Sequence, residues 1–444
     1  MTRLHTHTSL KQGLVAGLAT TAMLAMSACG GGGGSEPKKA DLPSLSGKKL
    51  EVAAVWSGAE QKVFETVISG FEKDTGAKVT FTSTGDDIAT VLNTKLKGNA
   101  APDVAILPQP GLLTQFAKAG NLKPLAAETL TQIDDNYASI WKDLGTVDSK
   151  TYGVWVDASN KSTVWYNVPA FEAAGIDPPK TWDEFLAAAK TLSDSGVTTP
   201  VALAGADGWT LTDWFENLYL RSAGPDNYDK LSRHEIPWTD PSVVQTLGLM
   251  RQLFGDKTLV GEPGSALQRD FPGSVTNTFA KDPKSAIVYE GSFVAGVIGD
   301  SSDYKVGEDA NWFPFPAVGD SPDAVVGGGD VAVQFNDSEA TSAFMTYLAS
   351  SDAAEGMVST GSFSSANKNL DAGAYPDENS KAVGKAIVDA GDNFRFDMSD
   401  LAPAGFGATV GSGEWKILQD FLENTSDAAG TAKALEASAA KAFG

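Results

Sequence analysis

Apolar positions along the chain first form one short block and then settle into alternating helical and strand periods. The block, residues 14–26, is uncharged and mostly apolar, follows Arg3 and Lys11, and gives way to Ser27, Ala28 and the only cysteine, Cys29. A basic start, a short apolar core and a small-residue end predict an export signal, and the core is too short to span a bilayer as a helix. Residues 29–47, Cys29 with five consecutive glycines and then a polar, Pro- and Ser-bearing stretch, predict a flexible tether.

Residues 49–56 (KLEVAAVW) predict the first buried strand. Phe64, Val67, Ile68 and Phe71 then occupy one face of a helix that Gly76 should end. Val79 and Phe81 alternate in a second strand. Asp86 and Asp87 stand where a helix striped by Ile88, Val91, Leu92 and Leu96 would be capped, and residues 102–107 (PDVAIL) predict a third, fully buried strand. This alternation predicts an open α/β sheet, whose ligands lie beyond the carboxyl ends of the strands. Gln109, between Pro108 and Pro110, is at such an end. Residues 150–167 read as two strand-like runs around a polar kink at 157–161, and residues 311–318 as a second passage; both are expected to cross between lobes. Thr181 and Glu184 predict a capping box.

The chain beyond the tether, about 400 residues, is too long for one compact core, so two lobes are expected. The expected division is 48–157 with 313–360 for the N-terminal lobe and 158–312 with 361–444 for the C-terminal lobe.

Charge narrows the function classes. The formal net charge is −22, and loss of Arg3 and Lys11 with the signal takes it to −24. Such a chain is repelled by phosphate backbones and anionic headgroups, so nucleic-acid binding is not expected. No further apolar run is long enough to span a membrane. Because Cys29 directly follows Ser27-Ala28, the segment resembles a bacterial lipoprotein signal, with Met26 where that pattern usually has Leu. The resemblance implies cleavage after residue 28 and a lipid on Cys29, holding the protein on the outer face of the membrane.

Without Cys29, His5 and His7, His234 is the only imidazole and no thiol remains. Zinc sites built from several Cys or His cannot be assembled, and no nucleophile-elbow motif accompanies His234. The glycine runs GGGDVA and GFGATVGSG match no phosphate-binding pattern. No metal or cofactor is expected.

A neutral sugar presents apolar C–H faces to aromatic rings and hydroxyls to carboxylates, which carry about four acceptor sites each. Aromatic and acidic residues on loops near strand ends and crossings are therefore the candidates. Trp209, Asp213 and Trp214 cluster in GADGWTLTDWFEN. Trp155, Asp157 and Lys161 border the first crossing. Glu290 ends an apolar strand, Asp330 follows three glycines, and Glu60 and Asp87 follow the first and second strands. Arg395 in RFDMSDLAP and Trp415 in GSGEW complete the set with Gln109.

The segments YGVW and WYNVPAFEAAGIDPPKTWDEFLAAAKTL, within residues 152–192, resemble the extracellular sugar-binding proteins of ABC transporters. GNAAPDVAILPQPGLL, GGGDVAV and RFDMSDLAP resemble the α-glucoside and oligosaccharide branch. The resemblance covers nearly the whole exported chain. It implies a two-lobed, type II periplasmic-binding-protein-like fold with hinge crossings and a ligand cleft. It also implies an oligosaccharide ligand, permease subunits in the membrane with an ATPase behind them, and a monomeric receptor that is not an enzyme. The rival reading is a membrane-tethered glycoside hydrolase, which would need two carboxylates about 5–9.5 Å apart across one glycosidic bond; Asp213, Glu290 and Asp330 are of the right type.

Overall fold

The structure, a computed structural model, describes residues 40–321, 323–390 and 393–444. The expected signal, Cys29 and the tether up to residue 39 lie outside the described residues. Among the described residues no helix is long and apolar enough to cross a membrane.

The first lobe is built on a five-stranded sheet. Strand Lys49–Ala54 pairs in parallel with Lys78–Ser83 on one side and Val104–Leu107 on the other. Val331–Gln334 then pairs antiparallel with Val104–Leu107, and Gly153–Trp155 closes the order. Helix Gly58–Thr75 buries Phe64, Val67, Ile68 and Phe71, the face expected of it, and stops at Gly76, whose φ of 77° a side-chain-bearing residue adopts only with strain. Its Phe71 meets Phe344 of helix Glu339–Leu348, ring centroids 4.9 Å apart.

The second lobe centres on a four-stranded sheet in the order Ala310–Pro314, Thr163–Asn167, Ile287–Tyr289, Val201–Ala202. Helix Trp182–Asp194 packs there and is capped as expected: Thr181 Oγ1 accepts from the Glu184 amide, and Glu184 Oε2 accepts from the Thr181 amide. Helix Trp209–Ala223 runs through the middle of this lobe, buried on nearly every face.

A three-stranded sheet joins the lobes. Val325–Gly328 lies between Ser159–Asn160, antiparallel, and Phe394–Phe396, parallel. The first crossing falls where the polar kink is. The second does not fall at residues 311–318, because Ala310–Pro314 is an edge strand of the second sheet, and Phe313 and Phe315 sit in the second core. The chain instead returns through 325–331. It is likewise mixed after residue 360, where Phe363 and Phe396 pack in the first core and Met398 and Phe406 in the second.

Candidate functional site

A cavity of about 350 Å³ opens where the joining sheet meets both lobes. Three segments at the ends of that sheet supply its centre: Asp157, Ser159 and Lys161 around strand Ser159–Asn160, Gly329 and Asp330 after Val325–Gly328, and Asp400 beyond Phe394–Phe396. The glycines preceding Asp330 make this convergence possible. A Cβ on Gly328 would stand 3.0 Å from Lys161 Cε, and one on Gly329 only 2.6 Å from the Asp157 carbonyl oxygen.

Aromatic rings face the cavity from both lobes. Trp56, beyond the end of the first strand, packs against Phe64 and Phe363, with centroids 5.1 and 5.4 Å away. From the second lobe, Trp209 forms a group with Phe271 and Phe293, at 5.6 and 6.0 Å. Trp415 is also on the wall, and its buried Nε1 donates to no protein group. Gln109 is on the wall too, with Oε1 without a protein donor.

The first-lobe acids are crowded. Asp330 Oδ2 accepts from Trp56 Nε1 at 2.9 Å, and Asp157 Oδ1 accepts from the Asp330 amide at 2.6 Å. Burial raises Asp330 to about 6, although the Trp56 bond and the Lys161 charge both oppose the rise. Burial and the neighbouring Asp330 charge push Asp157 well up. Half-buried Glu60, in the first turn of its helix, is pushed up to about 8 by burial, then by Asp330 and Asp86. On the second lobe Asp207, whose Oδ2 accepts from the Phe271 amide at 2.6 Å, rises to about 6 through burial.

Among the described residues Lys161 is the only ammonium lining the cavity. It stands 5.8 Å from the centre of the Trp209 ring and 2.5, 3.3 and 3.5 Å from carboxylate oxygens of Asp397, Asp400 and Asp213. Burial alone would lower Lys161, but these three charges hold it well above its ordinary value. Burial alone would raise Asp397, which the ammonium instead keeps below the usual carboxylate range. Served less closely, Asp400 rises to about 8 through burial and the Asp397 charge, and burial raises Asp213 strongly. Burial also raises Glu290, which borders Asp213 and has no protein donor on either oxygen.

The structure thus brings Glu60, Gln109, Asp157, Lys161, Trp209, Asp330 and Trp415 onto one cavity. Six other candidates take different places. Trp155 is core: its Nε1 donates to the Trp141 carbonyl at 2.6 Å, and its ring meets Trp141 and Phe396 edge-on. Trp214 is core as well, enclosed by Trp182, Phe254, Tyr289 and Phe315. Asp213 and Glu290 lie fully buried beneath Lys161 rather than on the wall. Arg395 pairs with Asp229 at 2.6 Å. Asp87 is exposed, because in the tight turn Gly85–Asp87 it is the neighbour Asp86 that faces the cavity. His234, against Glu436, is not on the cavity wall.

Sequence reasoning missed Trp56, Asp86, Asp207, Phe271, Phe293, Phe363 and Asp400 on the wall. Asp207 and Asp400 were within reach, since they stand in the same short segments as Trp209 and Arg395. Phe271, Phe293 and Phe363 carry no local signal. Among the described residues no group of His, Cys, Asp or Glu could hold a metal ion.

Comparison with known proteins gives a consistent result. The model of the bacterial extracellular solute-binding protein family matches residues 55–355. The chain is 33% identical over 384 residues to the osmoprotective compounds-binding protein GgtB of Synechocystis sp., covering 84% of this chain and 89% of that protein. It is 32% identical over 403 residues to the alpha-glucosides-binding periplasmic protein AglE of Rhizobium meliloti, covering 86% and 85%. Among solved structures, the bacterial solute receptor AcbH superposes with a TM-score of 0.76 at 22% identity over 89% of this chain and 100% of that one. The GacH receptor of Streptomyces glaucescens superposes with a TM-score of 0.72 at 18% identity over 90% and 98%.

Proposed function

The chain belongs to the family of bacterial extracellular solute-binding proteins, and from that premise we propose a finer reading of its ligand and its anchorage. The protein is a sugar-binding receptor for an ABC transporter. The ligand is an α-glucoside or a maltooligosaccharide-like chain, taken up outside the membrane by a monomer tethered through lipid on Cys29 and handed to permease subunits that an ATPase drives. The lipid and the tether rest on residues 14–47 of the sequence.

One observation carries the ligand class: Trp56 and Trp209, from different lobes, share a single cavity with Glu60, Asp157, Asp330 and Lys161. Rings take the C–H faces of a pyranose, and carboxyls take its hydroxyls. The relative AglE, named for binding alpha-glucosides, supports the α-glucoside assignment. A sugar touching both lobes favours their closed arrangement, as hinge closure requires.

A thermal-shift panel of mono-, di- and trisaccharides tests the reading. Ligand at 100 times Kd should add about 2.7 kcal/mol of stability. A panel in which α-glucosides leave the midpoint where it was and another sugar raises it refutes the specificity. Incubation with maltooligosaccharides should return them uncut; shortened chains would mark a hydrolase instead. Metabolic labelling with a radioactive fatty acid should mark the wild type and not Cys29→Ala.

A further inference from the structure

Resting on the sugar-binding reading above, we propose that Gln419, which is not on the cavity wall, is a positioning residue for the ligand: it clasps the loop that leads into Trp209 to the helix that carries Trp415, and so sets the aromatic face of the second lobe. The loop, residues 205–208, is the middle of three layers. On one side stands helix Gly413–Glu423, whose Trp415, Gln419 and Leu422 recur at the spacing of one helical face. All three meet the loop. A Cβ on Gly208 would stand 2.8 Å from Trp415 Cβ, and one on Gly205 would stand 2.9 Å from Leu422 Cδ2. Gln419 Nε2 donates to the Gly205 carbonyl at 2.8 Å and to the Ala206 carbonyl at 2.9 Å.

On the other side of the loop is the segment 266–271. The Gly205 and Ala206 amides donate to the Ala266 and Arg269 carbonyls at 2.9 and 3.0 Å, and Asp207 Oδ2 accepts from the Phe271 amide at 2.6 Å. Trp209 follows the loop, Phe271 belongs to the segment behind it and Trp415 to the helix in front, so three rings of the cavity wall come from one stack of layers. The two junctions differ in kind. Backbone bonds fix the loop to the segment that carries Phe271. Towards the helix, the contacts of Trp415 and Leu422 are apolar and non-directional, and they leave the layers free to slide. A primary amide with one hydrogen on each of two successive carbonyls fixes both the distance and the rotation of the loop. A ring platform without such support is loose by the ångström that separates a tight site from a weak one.

Two variants of the exported chain test the clasp. Gln419→Leu has a similar volume and neither donor, and Gln419→Glu keeps the shape but puts an acceptor in their place. In ligand-free protein, hydrogen exchange across residues 203–209 should quicken about tenfold in Gln419→Leu, while strand Val104–Leu107 of the first lobe keeps its wild-type rate. Titration calorimetry with maltose, maltotriose and trehalose should show Gln419→Leu about tenfold weaker for each sugar that binds the wild type, a part of what the ring itself contributes. Adding Gln419→Leu to Trp209→Ala should weaken binding by no more than about threefold, because the clasp then has no indole to place. Relative to wild type, Gln419→Glu should lose more affinity at pH 8 than at pH 5, where a proton on the carboxyl restores one donor. Unchanged exchange, or sugar affinity within threefold of wild type, overturns the clasp and leaves sugar binding standing. Losses that add in the double variant overturn the route through Trp209, and equal losses at both pH values in Gln419→Glu overturn the donor role. If none of the three sugars binds the wild type, the sugar-binding reading fails, and the exchange rates alone decide the clasp.

Discussion

Lys161→Met removes the ammonium at the cleft floor and keeps most of the apolar stem. Asp397, with no solvent exposure, would lose its 2.5 Å partner and keep the Ser399 hydroxyl at 2.8 Å, the Asp400 amide at 2.9 Å and the neighbouring Asp213 carboxyl. Removing one member of a buried pair costs about 3–5 kcal/mol, because the other charge is left uncompensated. At ~2.1 cal/mol/K per residue, a chain of about 400 ordered residues unfolds with roughly 0.8 kcal/mol/K, so the midpoint should fall by about 4–6 °C.

The sign of the pH dependence follows from the two directions. Lys161 is raised above its unfolded value, so its contribution is complete below about pH 10 and disappears only as pH rises through the folded value. Asp397 is held below its unfolded value, so its contribution is present above about pH 4 and disappears as pH falls through the folded value. At pH 7.5 the pair therefore contributes fully in the wild type. In the variant, acid lets the vacated Asp397 take a proton, and the penalty shrinks. Calorimetry of ligand-free protein at pH 7.5 and pH 5 should show the larger loss at pH 7.5. Asp213→Asn is the comparison: burial already favours the protonated Asp213, so the amide should cost only about 1 kcal/mol. A Lys161→Met loss below 1 °C at pH 7.5, or an equal loss in Asp213→Asn, refutes this account of the floor.

Trp209→Ala should weaken binding of the preferred sugar by about 10–100-fold through the lost ring face; titration calorimetry within threefold of wild type contradicts that role. Glu60 and Asp330 are raised to about 8 and about 6, and sugar hydroxyls donate to the ionised form. Binding should therefore release protons and tighten as pH rises from 5 to 8, which calorimetry in buffers of differing ionisation enthalpy will read as proton release, not uptake. Glu216 accepts from the Tyr228 hydroxyl and from the Met398 and Ser399 amides at 2.6, 2.6 and 2.9 Å. Glu216→Ala should strand these donors and lower stability by about 3 kcal/mol at an unchanged m-value, measured by urea unfolding.

Local patterns carried the fold a long way. The stripe from Phe64 to Phe71, the stop at Gly76, the capping box at Thr181 and the buried strand Val104–Leu107 all depend on neighbours within one helical turn or one strand. The first crossing was legible because polar residues 157–161 interrupt two apolar runs. The second was misplaced at 311–318 because an edge strand rich in aromatics and proline reads like a passage, and only its pairing with Thr163–Asn167 reveals a sheet.

What the sequence determined by itself was the α/β class, the need for two lobes, the acidity that disfavours anionic partners, and a pool of aromatic and acidic residues suited to sugars. Tertiary structure alone decided which of that pool share a cavity. Trp155 and Trp214 carry the same ring as Trp209, yet two are enclosed by other aromatics and one faces the cleft. The difference is physical: burial, and the fate of a carboxyl such as Asp213 next to Lys161, depend on groups brought together from segments as distant as residues 161, 213 and 397. No window along the chain contains that contact.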